Sequence, residues 1–294
     1  MGWNYAMGWL VVLPLELTAA SITVNYWNSG LNVGIFITIF LVVIVAINLC
    51  GVRGYGEAEF VFSFIKVLAV IGFIILSIVI DCGGVPNGTY LGAATWHNPG
   101  ALAYGFKGVC TVFVTAAFAF GGTELVGLAA AECANPRKTL PRATKQVFWR
   151  ITLFYIISLF LVGLIVPYNN PQLLNGTTSV DIKASPFVIA IQNAGIPVLP
   201  SIFNTIILIS VLSVGNSSTY GSTRTIAALA EIGQAPKIFS YIDKMGRPII
   251  TLAVALAFSG LAYINIAPVG ATVFNWLLAL SGLSSFFTWY PKFI

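Results

Sequence analysis

Nearly charge-free runs of about twenty apolar residues recur along this chain, and they limit its fold more than any other feature. At 1.5 Å per residue, a helix of that length crosses a hydrocarbon layer about 30 Å thick. Backbone N–H and C=O groups find no water there, so only a helix or a closed β-barrel satisfies them. Barrel strands alternate strictly between apolar and polar residues, and these runs do not. Composition points the same way: 58% of residues are apolar, 8% are charged and the mean hydropathy is +0.92, far from a soluble average. The chain is read as an all-α polytopic membrane protein.

The apolar runs predict eight spans, at 3–24, 33–51, 58–80, 106–131, 147–167, 199–223, 248–266 and 271–290. The stretches between them are polar and carry Gly and Pro, as in "DCGGVPNGTYLGAATWHNPG" and "PYNNPQLLNGTTSVDIKASP". No soluble domain is hidden among them, so residues 1–294 are read as one transmembrane domain.

Lysine and arginine counts set the orientation. Leaving out Lys66, which lies within a span, eleven fall on one side: Arg53, Arg137, Lys138, Arg142, Lys145, Arg150, Arg224, Lys237, Lys244, Arg247 and Lys292. Only Lys107 and Lys183 fall on the other. The positive-inside rule then sends the first span outward from the cytoplasm and places residues 81–105 and 168–198 outside. Both outer segments carry a glycosylation sequon, at Asn87 and at Asn175. The net charge of +5 is therefore topology, with no nucleic-acid signature. Cys50, Cys110 and Cys133 are read as packing residues, and Cys82 as a loop residue, with no CxxC and no disulfide assigned. The chain is inside a span by Trp3 without a basic leader and stops just after another, so both ends are expected to be cut.

Charge within a span costs roughly 2.5–3.5 kcal/mol even on the lenient insertion scale, which singles out three residues. Glu16 follows Pro14 in the first span; it is either a protonatable site or a neutral acid bonded to a neighbouring helix. Lys66 sits about 12 Å into the third span. Its ammonium either snorkels to the cytoplasmic interface or replaces a coupling cation inside the bundle. Glu124 lies in "AFAFGGTELVGLAAAE", residues 117–132, where a Gly-Gly pair interrupts an apolar run. Glycine is a weak helix former, and broken helices at mid-membrane expose amides and carbonyls that transporters use for substrate and ions. A break is therefore expected here, with Glu124 opening the second half-helix near its positive end. The other reading, a packing notch, accounts for the glycines but not for the carboxylate. A fourth stretch, "ISVLSVGNSSTYGSTRT" at 209–225, loads a span with hydroxyls and is read as a lining face rather than simple helix packing.

Four segments carry a family likeness in order: "WLVVLPLELTAASITVNYWN", "INLCGVRGYGEAEFVFSFIKVLAVIGF", "AFAFGGTELVGLAAAECANPRKTLPRATKQVFWRI" and "SVLSVGNSSTYGSTRTIAALAEIGQAPKIF". Together they resemble fungal amino acid permeases of the amino acid-polyamine-organocation superfamily, over nearly the whole chain. The resemblance implies a leucine-transporter-like inverted-repeat bundle of twelve helices, of which this chain would hold about eight, helices 3 to 10. It implies import of amino acids with protons across the plasma membrane, the proton as coupling ion and no other cofactor or metal. Phe118, Ala119, Phe120, Gly121, Gly122 and Thr123 would line the amino acid pocket, with a phenylalanine as gate. Glu16 and Lys66 match residues tied to proton coupling, and Glu124 joins them as an ionisable neighbour. The segment matching the family's first two helices is missing, so the expectation is a fragment inactive by itself. The partners expected are an amino acid and the bilayer, with oligomeric state open. A permease-like amino acid sensor is the alternative. An enzyme is not expected, because His97 is the only histidine and lies in an outer segment. A channel would need a selectivity ring that is not seen.

Overall fold

The computed structural model describes residues 1–27, 30–85, 88–130, 135–174, 185–266 and 270–289. Among these the regular structure is helical throughout. In chain order the α-helices are α1 (Gly2–Val24), α2 (Val33–Leu49), α3 (Gly51–Asp81), α4 (Gly105–Thr111), α5 (Phe113–Phe120), α6 (Leu125–Ala130) and α7 (Pro136–Arg150). They continue as α8 (Ile157–Ile165), α9 (Pro171–Leu174), α10 (Pro186–Asn193), α11 (Leu199–Glu231), α12 (Ile249–Ser259) and α13 (Gly270–Trp289). Their ends follow local chemistry. Asn32 caps α2, its side-chain oxygen accepting from the Gly34 N–H at 2.8 Å. Pro136 and Pro186 start α7 and α10, where a missing N–H costs nothing.

Each of the eight expected runs contains helix, but among the described residues five helical stretches are both long and apolar enough to cross a membrane. A sixth is added if the stretch from Gly105 to Leu128 counts as one broken span. α2, at 17 residues, falls just short of that length. Elsewhere helix extends past the expected edges: α3 begins at Gly51, α7 begins the fifth run at Pro136, and α11 continues to Glu231.

The chain divides into two compact units. The first comprises Met1–Ser63, Phe113–Gly121 and Ile207–Ile294. α1 is its centre, packed on α2, α12 and α13. Ala6, Leu10, Leu13 and Leu17 recur at helical spacing on α1 and meet Ile37, Ile44, Ile226, Leu229 and Ala255 in one apolar core. α13 is tied to α1 by polar contacts as well. Asn4 Nδ2 donates to the Ser284 carbonyl and Thr288 Oγ1, both at 2.9 Å, and Ser284 Oγ donates to the Asn4 carbonyl at 2.7 Å. The connection before α12 is pinned by Arg247, which donates to Asp243 and, through Nη1, to the Leu49 carbonyl at the end of α2, at 2.8 Å.

The second unit comprises Phe64–Val112 and Gly122–Ile206. Its core joins Phe73 and Ile80 of α3 to Val162 and Ile165 of α8 and to Ile189, Ala190 and Ile191 of α10. Phe73 also meets the rings of Phe187 and Phe203 at 5.0 and 5.4 Å. The stretch 168–198, expected to be only an outer loop, therefore contributes a buried helix. Its apolar run Phe187–Ile191 is short, which concealed it between polar neighbours. Thr95 Oγ1 and Trp96 Nε1 donate to the carbonyls of Leu164 and Gly163, fastening the long segment after α3 to α8. Along α3 the residues Phe60, Phe64, Leu68, Ile71, Ile75 and Ile78 are exposed and apolar at helical spacing, the pattern of a face that meets lipid.

Candidate functional site

The Gly-Gly segment interrupts its helix. α5 ends at Phe120, residues 121–124 form a turn, and α6 begins at Leu125. The Gly121 N–H still reaches back to the Ala117 and Phe118 carbonyls, at 3.0 and 3.1 Å. Gly122 then takes φ +88°, a left-handed conformation that a residue with a Cβ adopts only at a cost. The Leu125 N–H donates to the Gly122 carbonyl at 3.1 Å and starts the next helical piece. Phe118–Gly121 belong to the first unit; Gly122, Thr123 and Glu124 belong to the second. Phe118 is half-buried and Phe120 exposed. Glu124 directly precedes α6, and its Oε2 is buried without a hydrogen-bond partner among the described residues. An acceptor in that condition suits a donor group on a ligand.

Glu16 is buried in α1, two residues after Pro14, whose missing N–H breaks the helix ladder there. Its Cβ lies against Gly215 of α11: a methyl group placed on that glycine would sit 3.4 Å from Glu16 Cβ and 3.1 Å from Ile44 Cδ1. The absent side chain at Gly215 thus leaves α11 in close approach to the stem of Glu16 and to Ile44. Lys66 is half-buried on α3, within the second unit. Asn87 and Asn175 lie outside the described residues, as does Cys133. Cys50 and Cys110, expected to pack, are exposed free thiols, and so is Cys82.

The stretch 209–225 is not the lining face expected of it. Ser213, Asn216, Ser218, Thr219, Ser222 and Thr223 are all buried in the protein. Most of the hydroxyls bond back to their own helix: Ser218 and Thr219 to the Gly215 carbonyl, Thr223 to Thr219 and Thr225 to Gly221. Ser217 instead accepts from the Tyr55 hydroxyl of α3 at 3.3 Å, and Ser213 and Asn216 reach outward to Glu59, a carboxylate that the span reading passed over. Ser213 Oγ donates to Glu59 Oε2 at 2.7 Å and Asn216 Nδ2 to Glu59 Oε1 at 2.9 Å. Asn48 Nδ2 donates in turn to Asn216 Oδ1 at 2.8 Å. One turn along, Tyr55 stacks on Tyr220 with ring centres 4.2 Å apart, and the Arg224 guanidinium lies 3.7 Å over the Tyr220 ring. A seam of polar and aromatic pairs thus joins α2, α3 and α11 within the first unit. Glu59 lies only about 12 Å from the start of α3, so its sequence position reads as an interface residue.

Comparison with known proteins gives these parts a context. The family model for amino acid permeases matches residues 1–291. The chain is 63% identical, over 290 residues, to the general amino-acid permease GAP2 of Candida albicans, covering 98% of this chain and 49% of that protein. It is 59% identical over 292 residues to the general amino-acid permease GAP1 of Saccharomyces cerevisiae, covering 97% and 48%. Against the cationic amino acid transporter 1 of Schizosaccharomyces pombe the identity is 54% over 298 residues, covering 98% and 50%. The chain spans about half the length of these curated relatives.

Proposed function

Because the chain belongs to the amino acid permease family, we propose that it serves secondary active transport of amino acids, with protons as the coupling ion. It is a multi-pass membrane protein and a transporter rather than an enzyme; we place it in the plasma membrane. The observation that carries the reading is the helix opened at Gly121–Glu124, because unwound backbone presents amides and carbonyls to a zwitterion without a charged side chain of its own. Phe118, Ala119, Phe120, Gly121, Gly122 and Thr123 form one wall of the amino acid site. Glu16, Lys66 and Glu124 carry the charge changes that couple transport to protons. Glu16 suits this role by its burial near Pro14, which leaves one hydrogen bond of the helix unmade. A proton entering down a potential of about 100 mV supplies about 2.3 kcal/mol. That corresponds to roughly 50-fold accumulation of a neutral substrate.

The test is uptake of radiolabelled amino acids by permease-deficient cells expressing the native gene. Accumulation should rise as the outside is acidified and should fall at least about tenfold with Glu16→Gln or Lys66→Met, since one tenfold step corresponds to about 1.4 kcal/mol. Uptake that neither substitution alters removes both from coupling. Binding without accumulation identifies a sensor instead.

A further inference from the structure

We propose that Glu59 is a second proton-carrying carboxylate, set on the cytoplasmic side of Glu16, through which the coupling proton leaves. The proposal rests on the transport reading above. Three features of the first unit support it. The first is depth. Both α1 and α3 start at the cytoplasmic side under the lysine and arginine count. Glu16 then lies about 21 Å into its helix and Glu59 about 12 Å into its own, at 1.5 Å per residue. The second is a shared neighbour: Glu16 abuts α11 at Gly215, and Glu59 is bonded by Ser213 and Asn216 of the same turn. The third is the donor set. Both Glu59 oxygens accept from neutral groups and no cation pairs with Glu59 among the described residues, so a proton can come and go without an ion pair being broken.

The charged and titratable groups around the seam leave that assignment intact. On α3, Arg53 pairs with Glu57 at 3.0 Å in solvent, Tyr55 faces Tyr220, and Lys66 follows Glu59 two turns further along, about 10 Å deeper at 1.5 Å per residue. On α11, Arg224 lies over the Tyr220 ring. α1 brings Glu16 itself, α2 and α12 carry no charged residue, and Asp243 before α12 is paired with Arg247. In the step proposed, an O–H bond of the Glu16 carboxyl breaks, water carries the proton, and an O–H bond forms on Glu59 as Ser213 turns from donor to acceptor. Glu59 then releases the proton to cytoplasmic water. Both carboxylates end ionised, one proton has moved inward and no electron is transferred.

Net uptake needs proton release, whereas exchange of internal for external amino acid does not, and this separates relay from strut. With the native gene and equal amounts at the cell surface, Glu59→Gln should lower proton-driven net uptake at least about tenfold. Exchange should stay within about twofold of wild type, and Glu59→Asp should recover a large part of net uptake. Undiminished net uptake overturns the proposal, as does loss of exchange alongside it, which is what a structural seam predicts. If Glu59→Gln fails to reach the surface, Ser213→Ala decides. It removes one donor and should shift the pH profile of net uptake by about half a unit or more, because hydrogen bonding to the ionised form helps set where a carboxyl titrates. Superimposable profiles overturn the assignment. A wild type with neither uptake nor exchange sinks the transport reading itself, and this proposal with it.

Discussion

Asn216→Ala offers the sharpest probe of how the first unit is held together. The side chain is fully buried and makes two interhelical bonds, donating to Glu59 and accepting from Asn48. Interhelical hydrogen bonds in membranes average about 0.6 kcal/mol and reach about 1.7. A bond to a charged group runs higher, at about 1.5–3 kcal/mol. Neither former partner is stranded, since Glu59 keeps Ser213 and Asn48 keeps the Ile44 carbonyl at 2.9 Å. The expected loss is therefore about 2 kcal/mol, from the lower part of those ranges. Unfolding by dodecyl sulfate titration in mixed micelles, followed by circular dichroism, measures it. A double-mutant cycle with Asn48→Ala should give a coupling of about 0.5–1.5 kcal/mol. A loss under about 0.5 kcal/mol, or additivity within about 0.3, would refute the bond network as a stabilising element.

Other perturbations test separate parts. Gly122→Ala must place a Cβ at φ +88°, which costs about 1–2 kcal/mol and should depress uptake, while Gly122→Asn should be milder because Asn tolerates that region; equal effects would deny the backbone argument. Gly215→Val should cost about 1–3 kcal/mol by overpacking against Ile44 and Glu16. Gly215→Ala should come close to neutral, because a gain of up to about 1 kcal/mol in helix propensity offsets the tighter contact; thermal unfolding in detergent separates the two. The hydrogen bonds from Arg247 hold the Asp243 carboxyl below its ordinary value. Its contribution to the loop is thus complete at neutral pH and disappears only as pH falls through that lowered value, below about 3.9. Asp243→Asn removes it at every pH, so trypsin should cut at Lys244 faster than in wild type at neutral pH, and an unchanged rate would count against the clamp.

Local signals in the sequence proved legible where one residue type has one physical meaning. The Gly-Gly pair marked the break because a left-handed turn needs glycine, and Gly122 supplies one. Apolar runs located helix in every expected span because hydropathy is a local sum. What stayed hidden depends on partners distant in sequence. Glu59 and Ser213 are 154 positions apart, and nothing local in "GYGEAEF" indicates the donors that meet it. The hydroxyls of α11 misled for a related reason: a serine that bonds its own helix and one that faces water look alike in a sequence. α10 was missed because its buried run is shorter than a span. The residues of the amino acid wall and of proton coupling came from family likeness, since their roles depend on a ligand.

The near-complete enclosure of α1 sets its tolerance to change. Of its most apolar window 83% is buried, against 17% for α3. A scan of substitutions along α3 should therefore rise and fall with the helical period, because alternate faces meet lipid and protein. Along α1 no such rhythm is expected. From Trp9 to Ser21 every side chain is buried, so enlargement is penalised at each phase of the turn, and the part of the helix bearing Glu16 has no free face on which variation could accumulate unseen.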